Sequence, residues 1–290
     1  MTNLLILLQN NTPNSSFINI LSNVLIGIGV LPFIYLIFKF IEGILIDYAG
    51  FGPLFRHFYL IKRDLKPNQK QILESSFKFY RQLNRKEQTY FRHRVYRYMS
   101  RVEFVGREGL EIDDEKKILV SATAIMLTFG YRNYNINLVD RILIYPSTFY
   151  SNIDKNYHKG HFNPGFRAII ISWEDFKLGY DIEDDNLNLG IHEFVHALHI
   201  GYLHDKDNET SAHLFIKGLE ELNSSLESNS LDKKKMEESD YFRAYAFENN
   251  FEFIAVLIET FIETPKQFKS QFPDVYLKIK QMLNFNFVGY

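Results

Sequence analysis

The 290-residue sequence contains no cysteine. This excludes disulfide bonds, thiol nucleophiles and cysteine-bound zinc, so any zinc would be held by His, Asp or Glu. The formal net charge is only −2, which gives no overall attraction to nucleic acid, and we expect no nucleic-acid partner. The content of 46% hydrophobic and 23% charged residues is typical of a globular protein. The length suffices for one large domain or two small ones.

Charge is also absent from the first 38 residues. Residues 24–38 are an unbroken non-polar run, and extending it to about residues 20–46 gives enough length to cross ~30 Å of hydrocarbon. A cleavable signal peptide fits poorly, because no basic segment precedes the run and no small-residue cleavage site follows it. A buried core helix is the other alternative. We therefore predict a single N-terminal membrane anchor.

The orientation of this anchor follows from the charges after it. The first is Lys39, and further basic residues follow at Arg56, Lys62, Arg63 and Lys66. The positive-inside rule then predicts a short N-terminus outside and the main body in the cytoplasm. We divide the chain into an N-terminal segment at 1–46, a juxtamembrane connector at 47–66 and a main domain at 67–290.

The main domain alternates helical periodicity with two short β-branched runs. Strands are predicted at 139–145 and 168–172, separated by a loop rich in Gly, His, Asn and Pro. The acidic residues at 113–115 predict the start of a helix that ends near Gly130. An earlier helix carries four arginines, for which a solvated face is favoured over contact with lipid headgroups or a polyanion. They are Arg92, Arg94, Arg97 and Arg101.

One short motif predicts a metal site. His192 and His196 stand four residues apart with Glu193 beside the first, which is the HExxH pattern. On a helix, positions i and i+4 share one face, so both imidazoles can approach one zinc ion. An apolar face formed by Leu187, Ile191, Phe194, Val195 and Leu198 would anchor this helix. A five-residue motif also arises by chance on ordinary amphipathic helices.

A catalytic zinc needs a third protein ligand. Glu252 is the preferred candidate, with Glu248 and Glu259 as rivals. Asn249 and Glu252 also match a capping box, which is the purely structural alternative. However, residues 251–258 are otherwise apolar, and a carboxylate in such surroundings needs a compensating partner that zinc would supply.

Several ordered motifs resemble the MtfA-type (Mlc titration factor A) zinc peptidases, distant relatives of the anthrax lethal factor catalytic domain. They comprise Gly109-Leu110-Glu111-Ile112 with the following helix, Ile142-Leu143-Ile144-Tyr145-Pro146-Ser147, Ile171-Ser172-Trp173-Glu174-Asp175, the HExxH helix, and Glu252-Phe253 with Ala255-Val256. The resemblance covers roughly residues 91–284. It implies a mainly helical α+β fold with a zincin-like core and a small sheet. The membrane segment is absent from the best-known members.

The resemblance also implies residue roles. His192, His196 and Glu252 would bind Zn²⁺, and Glu193 would be the catalytic glutamate. Tyr245, seven residues before Glu252, would lie near the developing oxyanion, with plain aromatic packing as the alternative. The family commonly has Asp at the position of His199. That histidine lies about 10 Å along the helix from His192, too far to share the ion, and is expected to be an outer-sphere or surface residue.

These roles predict a membrane-anchored zinc peptidase of the gluzincin type, with aminopeptidase action as one option. Zinc would activate a water, Glu193 would accept its proton, and a peptide or protein substrate would lie extended along strand 168–172. The alternative is a regulatory binding protein, because the namesake of the family binds the transcriptional repressor Mlc. A protein regulator is thus a further candidate partner. A purely structural metal is disfavoured, since three ligands and a free position form the catalytic pattern.

Overall fold

The computed structural model describes residues 15–49, 52–151, 155–181, 188–206, 209–228 and 233–290. The chain divides into two compact units, Met1–Phe51 and Gly52–Tyr290. The described part of the first unit is one helix, α1 (Ser15–Ala49). Its segment Ile18–Tyr48 is long and apolar enough to cross a membrane. By length and composition, α1 is therefore a candidate membrane span.

The second unit combines helices with short strands. The helices are α2 (Pro67–Ser76), α3 (Lys78–Gln82), α4 (Arg85–Arg101), α5 (Asp114–Thr128), α6 (Trp173–Asp181), α7 (Leu189–Asp205), α8 (Thr210–Glu227), α9 (Lys233–Glu238), a 3-10 helix (Ala244–Phe247), α10 (Asn250–Glu263), α11 (Pro265–Gln271) and α12 (Pro273–Met282). The strands are β1 (Glu103–Gly106), β2 (Arg141–Tyr145), β3 (Phe149–Ser151), β4 (Asn156–His158), β5 (Gly160–Asn163) and β6 (Ala168–Ser172). The expected mainly helical α+β class with a small sheet is confirmed.

The main sheet has the order β1-β2-β6-β5. Strands β1, β2 and β6 are parallel, and β5 turns back to pair antiparallel with β6, with Phe162 opposite Ile169. The expectation that strand 168–172 offers an edge to substrate is wrong, because β6 is hydrogen-bonded on both sides. The terminal strand next to β6 is β5, and β1 is the terminal strand at the other end of the sheet. Strand β5 lies within the segment that the sequence predicted to be a loop.

Helix α5 forms the centre of the core, and residues 118–128 along it are all buried. It begins as the sequence predicted, since the Asp113 carboxylate accepts a hydrogen bond from the Lys116 N–H at 2.9 Å. Just beyond its end, the Arg94 guanidinium donates to the carbonyls of Thr128 and Tyr131 at 3.1 and 2.8 Å. The prediction that the α4 arginines form a solvated face is therefore wrong for Arg94, which is fully buried. The Thr128 carbonyl also accepts from the Tyr131 N–H at 3.0 Å, and Arg94 adds a charged donor to the turn that follows the helix.

Candidate metal centre

Helix α7 presents the two histidines of the HExxH motif. It begins at Asn188, whose side chain accepts a hydrogen bond from the Ile191 N–H at 3.1 Å. Its apolar side is buried in the core through Ile191, Phe194, Val195 and Leu198. Leu187, predicted to belong to that side, lies outside the described residues. With the apolar side fixed, His192 and His196 project half-buried from the opposite side.

Helix α10 presents Glu252 from its first turn. The Asn249 side chain caps this helix by accepting from the N–H groups of Phe251 and Glu252 at 2.9 and 3.0 Å. The following residues, 253–262, are all buried. The predicted N-cap is thus present, but the Glu252 carboxylate lies against the histidines of α7. Its side chain is therefore placed for a role other than capping.

The three predicted ligands come together at one point. His192 Nε2 lies 2.9 Å from His196 Nε2 and 3.1 Å from Glu252 Oε2, and His196 Nε2 lies 3.5 Å from Glu252 Oε1. Donor atoms of one tetrahedral zinc, each about 2.0–2.1 Å from the ion, are separated by roughly 3.3 Å. In addition, Glu252 Oε2 is buried and, although it lies 3.1 Å from His192 Nε2, it accepts no hydrogen bond of suitable geometry from the described residues. Both the spacing and this buried oxygen fit a bound divalent metal ion.

The electrostatics of the cluster favour a cation. Burial acts to lower the pKa of His192, but contacts with Glu252 and Glu259 outweigh it and raise this pKa to about 9. Conversely, contacts with His192 and His196 hold the pKa of Glu252 well below its usual range. The cluster therefore concentrates negative charge around His192, and a metal ion would neutralise it in place of the proton.

Glu259, a rival ligand by sequence, lies on the other side of the His192 ring. Its carboxylate is buried and accepts hydrogen bonds from the Asn188 N–H and the Arg243 guanidinium. Its Oε2 lies 3.5 Å from His192 Nδ1, and it is outside the group of converging ligand atoms. A carboxylate at Nδ1 fixes the ring so that Nε2 faces a metal. The other rival, Glu248, is exposed to solvent.

The side chain of Glu193 lies between α7 and β5. It is only 6% exposed and accepts a hydrogen bond from the Phe162 N–H of β5. Burial raises its pKa, although His192 and His196 oppose that shift. A Cβ atom at Gly160 would lie 2.7 Å from Glu193 Oε1. Glycine at this point of β5 therefore makes room for the Glu193 carboxylate.

Tyr245, on the 3-10 helix, faces the same histidine. Its hydroxyl lies 3.1 Å from His192 Nδ1 and 3.0 Å from His192 Nε2. Burial raises the pKa of this hydroxyl, the charge of Arg243 opposes the shift, and the Glu252 and Glu259 carboxylates add to it. The hydroxyl therefore stays protonated at neutral pH and is available as a hydrogen-bond donor beside the cluster.

His199 is buried rather than at the surface, being 3% exposed. Its ring centroid lies 4.5 Å from that of Phe251 and 5.9 Å from that of Phe215. Burial, followed by the charge of His196, lowers its pKa to about 4. The surface alternative for this residue is wrong. It is a neutral histidine packed among aromatic rings and is not among the converging ligand atoms.

The chain is similar to known proteins over most of its length. An uncharacterized protein of Synechocystis sp. is 22% identical over 244 residues, which cover 77% of this chain and 85% of that protein. Residues 55–284 match the family described as glucose-regulated metallo-peptidase M90, and this match includes His192, His196 and Glu252. On this match over most of its length, the chain belongs to the M90 family of glucose-regulated metallo-peptidases.

Proposed function

We propose that the protein is a membrane-anchored zinc peptidase that hydrolyses peptide bonds with Glu193 as general base. The observation that carries this proposal is the convergence of His192, His196 and Glu252, whose ligand atoms all lie within 4.8 Å of one another. Two imidazoles and one carboxylate form the donor set of catalytic zinc sites, with a position left for water or substrate. Family membership supports hydrolysis of peptides or proteins.

Three residues near the metal site, Glu193, Tyr245 and Glu259, would have separate roles in peptide hydrolysis. When bound, zinc supplies a Lewis acid that polarises the peptide carbonyl and makes water more acidic. Glu193 accepts the proton of the attacking water and passes it to the leaving amine. The Tyr245 hydroxyl donates a hydrogen bond to the oxyanion as it forms. Glu259, held by Arg243, keeps the His192 ring oriented throughout.

Strand β5 is our candidate for the substrate-binding edge. It is a terminal strand of the sheet, and its Phe162 N–H already contacts Glu193. An extended peptide that adds to a terminal strand gains backbone hydrogen bonds. A substrate on β5 would therefore pass close to the general base.

The location of the enzyme is part of the same proposal. Helix α1 would cross the membrane, and the basic residues after it favour a cytoplasmic peptidase unit. The zincin-like core and the distant relationship to the lethal factor catalytic domain rest on the ordered sequence motifs. The gluzincin type rests on the ligand set, and aminopeptidase action is one option within that type.

Metal removal and restoration test the proposal. The full chain, purified in detergent, should contain stoichiometric zinc and cleave members of an unstructured peptide library. A chelator should abolish cleavage, and zinc should restore it where magnesium does not, because imidazole ligands suit zinc and magnesium prefers oxygen. Stoichiometric zinc without cleavage of any peptide would favour the regulatory binding protein. A chain that binds no zinc would contradict both the ligand set and the enzyme.

A further inference from the structure

We propose that residues 54–63 form a docking strap that holds the second unit against an anionic membrane surface. Peptide hydrolysis at the metal site does not require contact between the strap and a membrane, so the inference goes beyond the peptidase function. The strap carries large apolar side chains that face solvent. Their exposed fractions are 48% for Leu54, 62% for Phe55, 78% for Phe58, 91% for Leu60 and 72% for Ile61. Contiguous exposed apolar side chains in a folded unit indicate a binding surface.

The strap is held in place by the fold. The Arg94 guanidinium, buried in the core, donates to the carbonyl of Arg56 at 2.8 Å and to the Tyr59 hydroxyl at 2.6 Å. At the end of the strap, the Arg63 N–H donates to His93 Nδ1 at 2.8 Å. These contacts fix the inward-facing residues between the apolar ones. The outward direction of Phe58 and its neighbours is therefore a structured feature of the unit.

The charges around the apolar side chains suit an anionic partner. Phe58, Leu60 and Ile61 line one shallow depression together with Arg63 and Arg97. The exposed cations at this surface are Lys62, Arg63 and Arg97. The neighbouring acid, Asp64, is neutralised by Lys70 at 2.7 Å and Arg92 at 2.8 Å. Exposed apolar groups flanked by cations are the combination that binds the interface of a bilayer containing anionic lipid.

Chain continuity identifies the bilayer as the occupant. The candidate span ends at Tyr48, and Leu54 follows six residues later. Six extended residues reach at most about 20 Å, so the strap begins close to the membrane surface if α1 crosses it. This step rests on the proposed anchor. The chain itself therefore keeps the strap near the bilayer, whereas nothing in the chain keeps it near a separate protein.

The absence of cysteine permits a direct test on the full chain. Single-cysteine variants Phe58→Cys and Ile61→Cys would carry a fluorophore sensitive to its environment. Phe166→Cys and Tyr157→Cys are matched controls, with 67% and 73% exposure elsewhere on the unit. The protein would be reconstituted in phosphatidylcholine vesicles with or without phosphatidylserine. Quenching would be measured with brominated lipid and with aqueous iodide, and flotation with vesicles would report the anchor independently.

Docking predicts that probes at 58 and 61 are quenched by brominated lipid and shielded from iodide, whereas probes at 166 and 157 show the reverse. In vesicles with phosphatidylserine, Lys62→Gln with Arg63→Gln should lower the docked-to-undocked ratio about fivefold for each charge removed, with flotation unchanged. Protein that floats while probes at 58 and 61 are quenched by iodide would overturn the docking alone. Shielding from both quenchers would indicate a protein partner and overturn it too. Protein that neither floats nor shows lipid quenching would overturn both the anchor and the docking, whereas peptide hydrolysis is measured separately.

Discussion

Glu252 and Glu259 lie seven residues apart on α10, yet their carboxylates meet opposite sides of the same imidazole. Glu252 places Oε2 beside Nε2, on the side of His196, and this buried oxygen accepts no hydrogen bond of suitable geometry from the described residues. Glu259 approaches Nδ1, and its carboxylate oxygens accept hydrogen bonds from the Arg243 guanidinium and the Asn188 N–H. Two residues of one type on one helix can therefore serve as a ligand and as the group that orients a ligand.

Metal titration distinguishes these two roles. Glu259→Gln should weaken zinc binding about 10–100-fold, the usual effect of losing an outer partner of a metal-bound histidine. Glu252→Gln should weaken it by considerably more, because a charged donor atom is lost from the metal itself. Isothermal titration of zinc-free protein would measure both affinities. Full zinc occupancy in Glu252→Gln with loss in Glu259→Gln would show that the two roles are reversed.

Asn249→Ala is the control for the capping contribution. It removes the N-cap of α10, which costs about 1 kcal/mol of stability, and should leave zinc binding intact. If Asn249→Ala abolished zinc binding as Glu252→Gln does, the loss would reflect unfolding of the helix end.

The sequence indicated which three side chains converge, His192, His196 and Glu252, better than it indicated the residues around them. Glu252 could be proposed because a carboxylate in an apolar stretch needs a partner. Glu252 and Glu259 are two turns apart and so share one face of α10. This spacing could have predicted that the Glu259 carboxylate also lies near the histidines. The partners of Glu259 are distant in the chain, however, and local pattern does not reveal them.

Among the elements, β5 and the α4 arginines show where sequence patterns fail. Strand β5 reads Gly-His-Phe-Asn, with no β-branched residue, and it becomes a strand through pairing with β6. Arg94 belongs to a helix with several basic residues, and its burial is explained by acceptors that are distant in the chain. They are the carbonyls of Arg56, Thr128 and Tyr131 and the Tyr59 hydroxyl. The helices α5 and α7 were predictable, because capping residues and apolar periodicity specify them locally.

Strand β5 approaches α7 closely at Gly160, so a substitution there should disturb Glu193. In Gly160→Ala the new methyl group would clash with Leu189 Cδ1 and fall 2.7 Å from Glu193 Oε1 and 2.8 Å from Glu193 Cγ, so the side chains of Leu189 and Glu193 must both shift. A displacement of about 1 Å can lower turnover about 100-fold, while zinc content should stay unchanged. Peptide hydrolysis and metal analysis of the variant would measure both.

Gly165→Ala is the matched control on the following turn, where the nearest atom would be Asn163 Oδ1 at 3.4 Å. It should retain nearly full activity. Normal turnover in Gly160→Ala would show that β5 does not constrain Glu193.

For the whole molecule, the class of fold was implied by the resemblance to a known family, together with the helical periodicity and the two β-branched runs of the main domain. A charge-free apolar segment preceded a mainly helical α+β unit, and the long non-polar run of α1 is visible in the sequence without any tertiary information. The docking strap was not predictable, because the sequence of residues 54–63 does not reveal which of their side chains face outward. Hydrogen bonds with Arg94 and His93, which are distant in the chain, fix those directions.

The central claim is that the assembled cluster is a catalytic metal site, and Glu193→Gln tests it most directly. The amide has nearly the shape of the carboxylate but cannot carry the proton, and Glu193 is outside the group of converging ligand atoms. Full-length Glu193→Gln should therefore retain stoichiometric zinc while peptide hydrolysis falls about 10²–10⁴-fold, and the exposed variant Glu248→Gln should match the unmodified protein. Turnover of Glu193→Gln close to that of the unmodified protein, with zinc bound in both, would contradict the account.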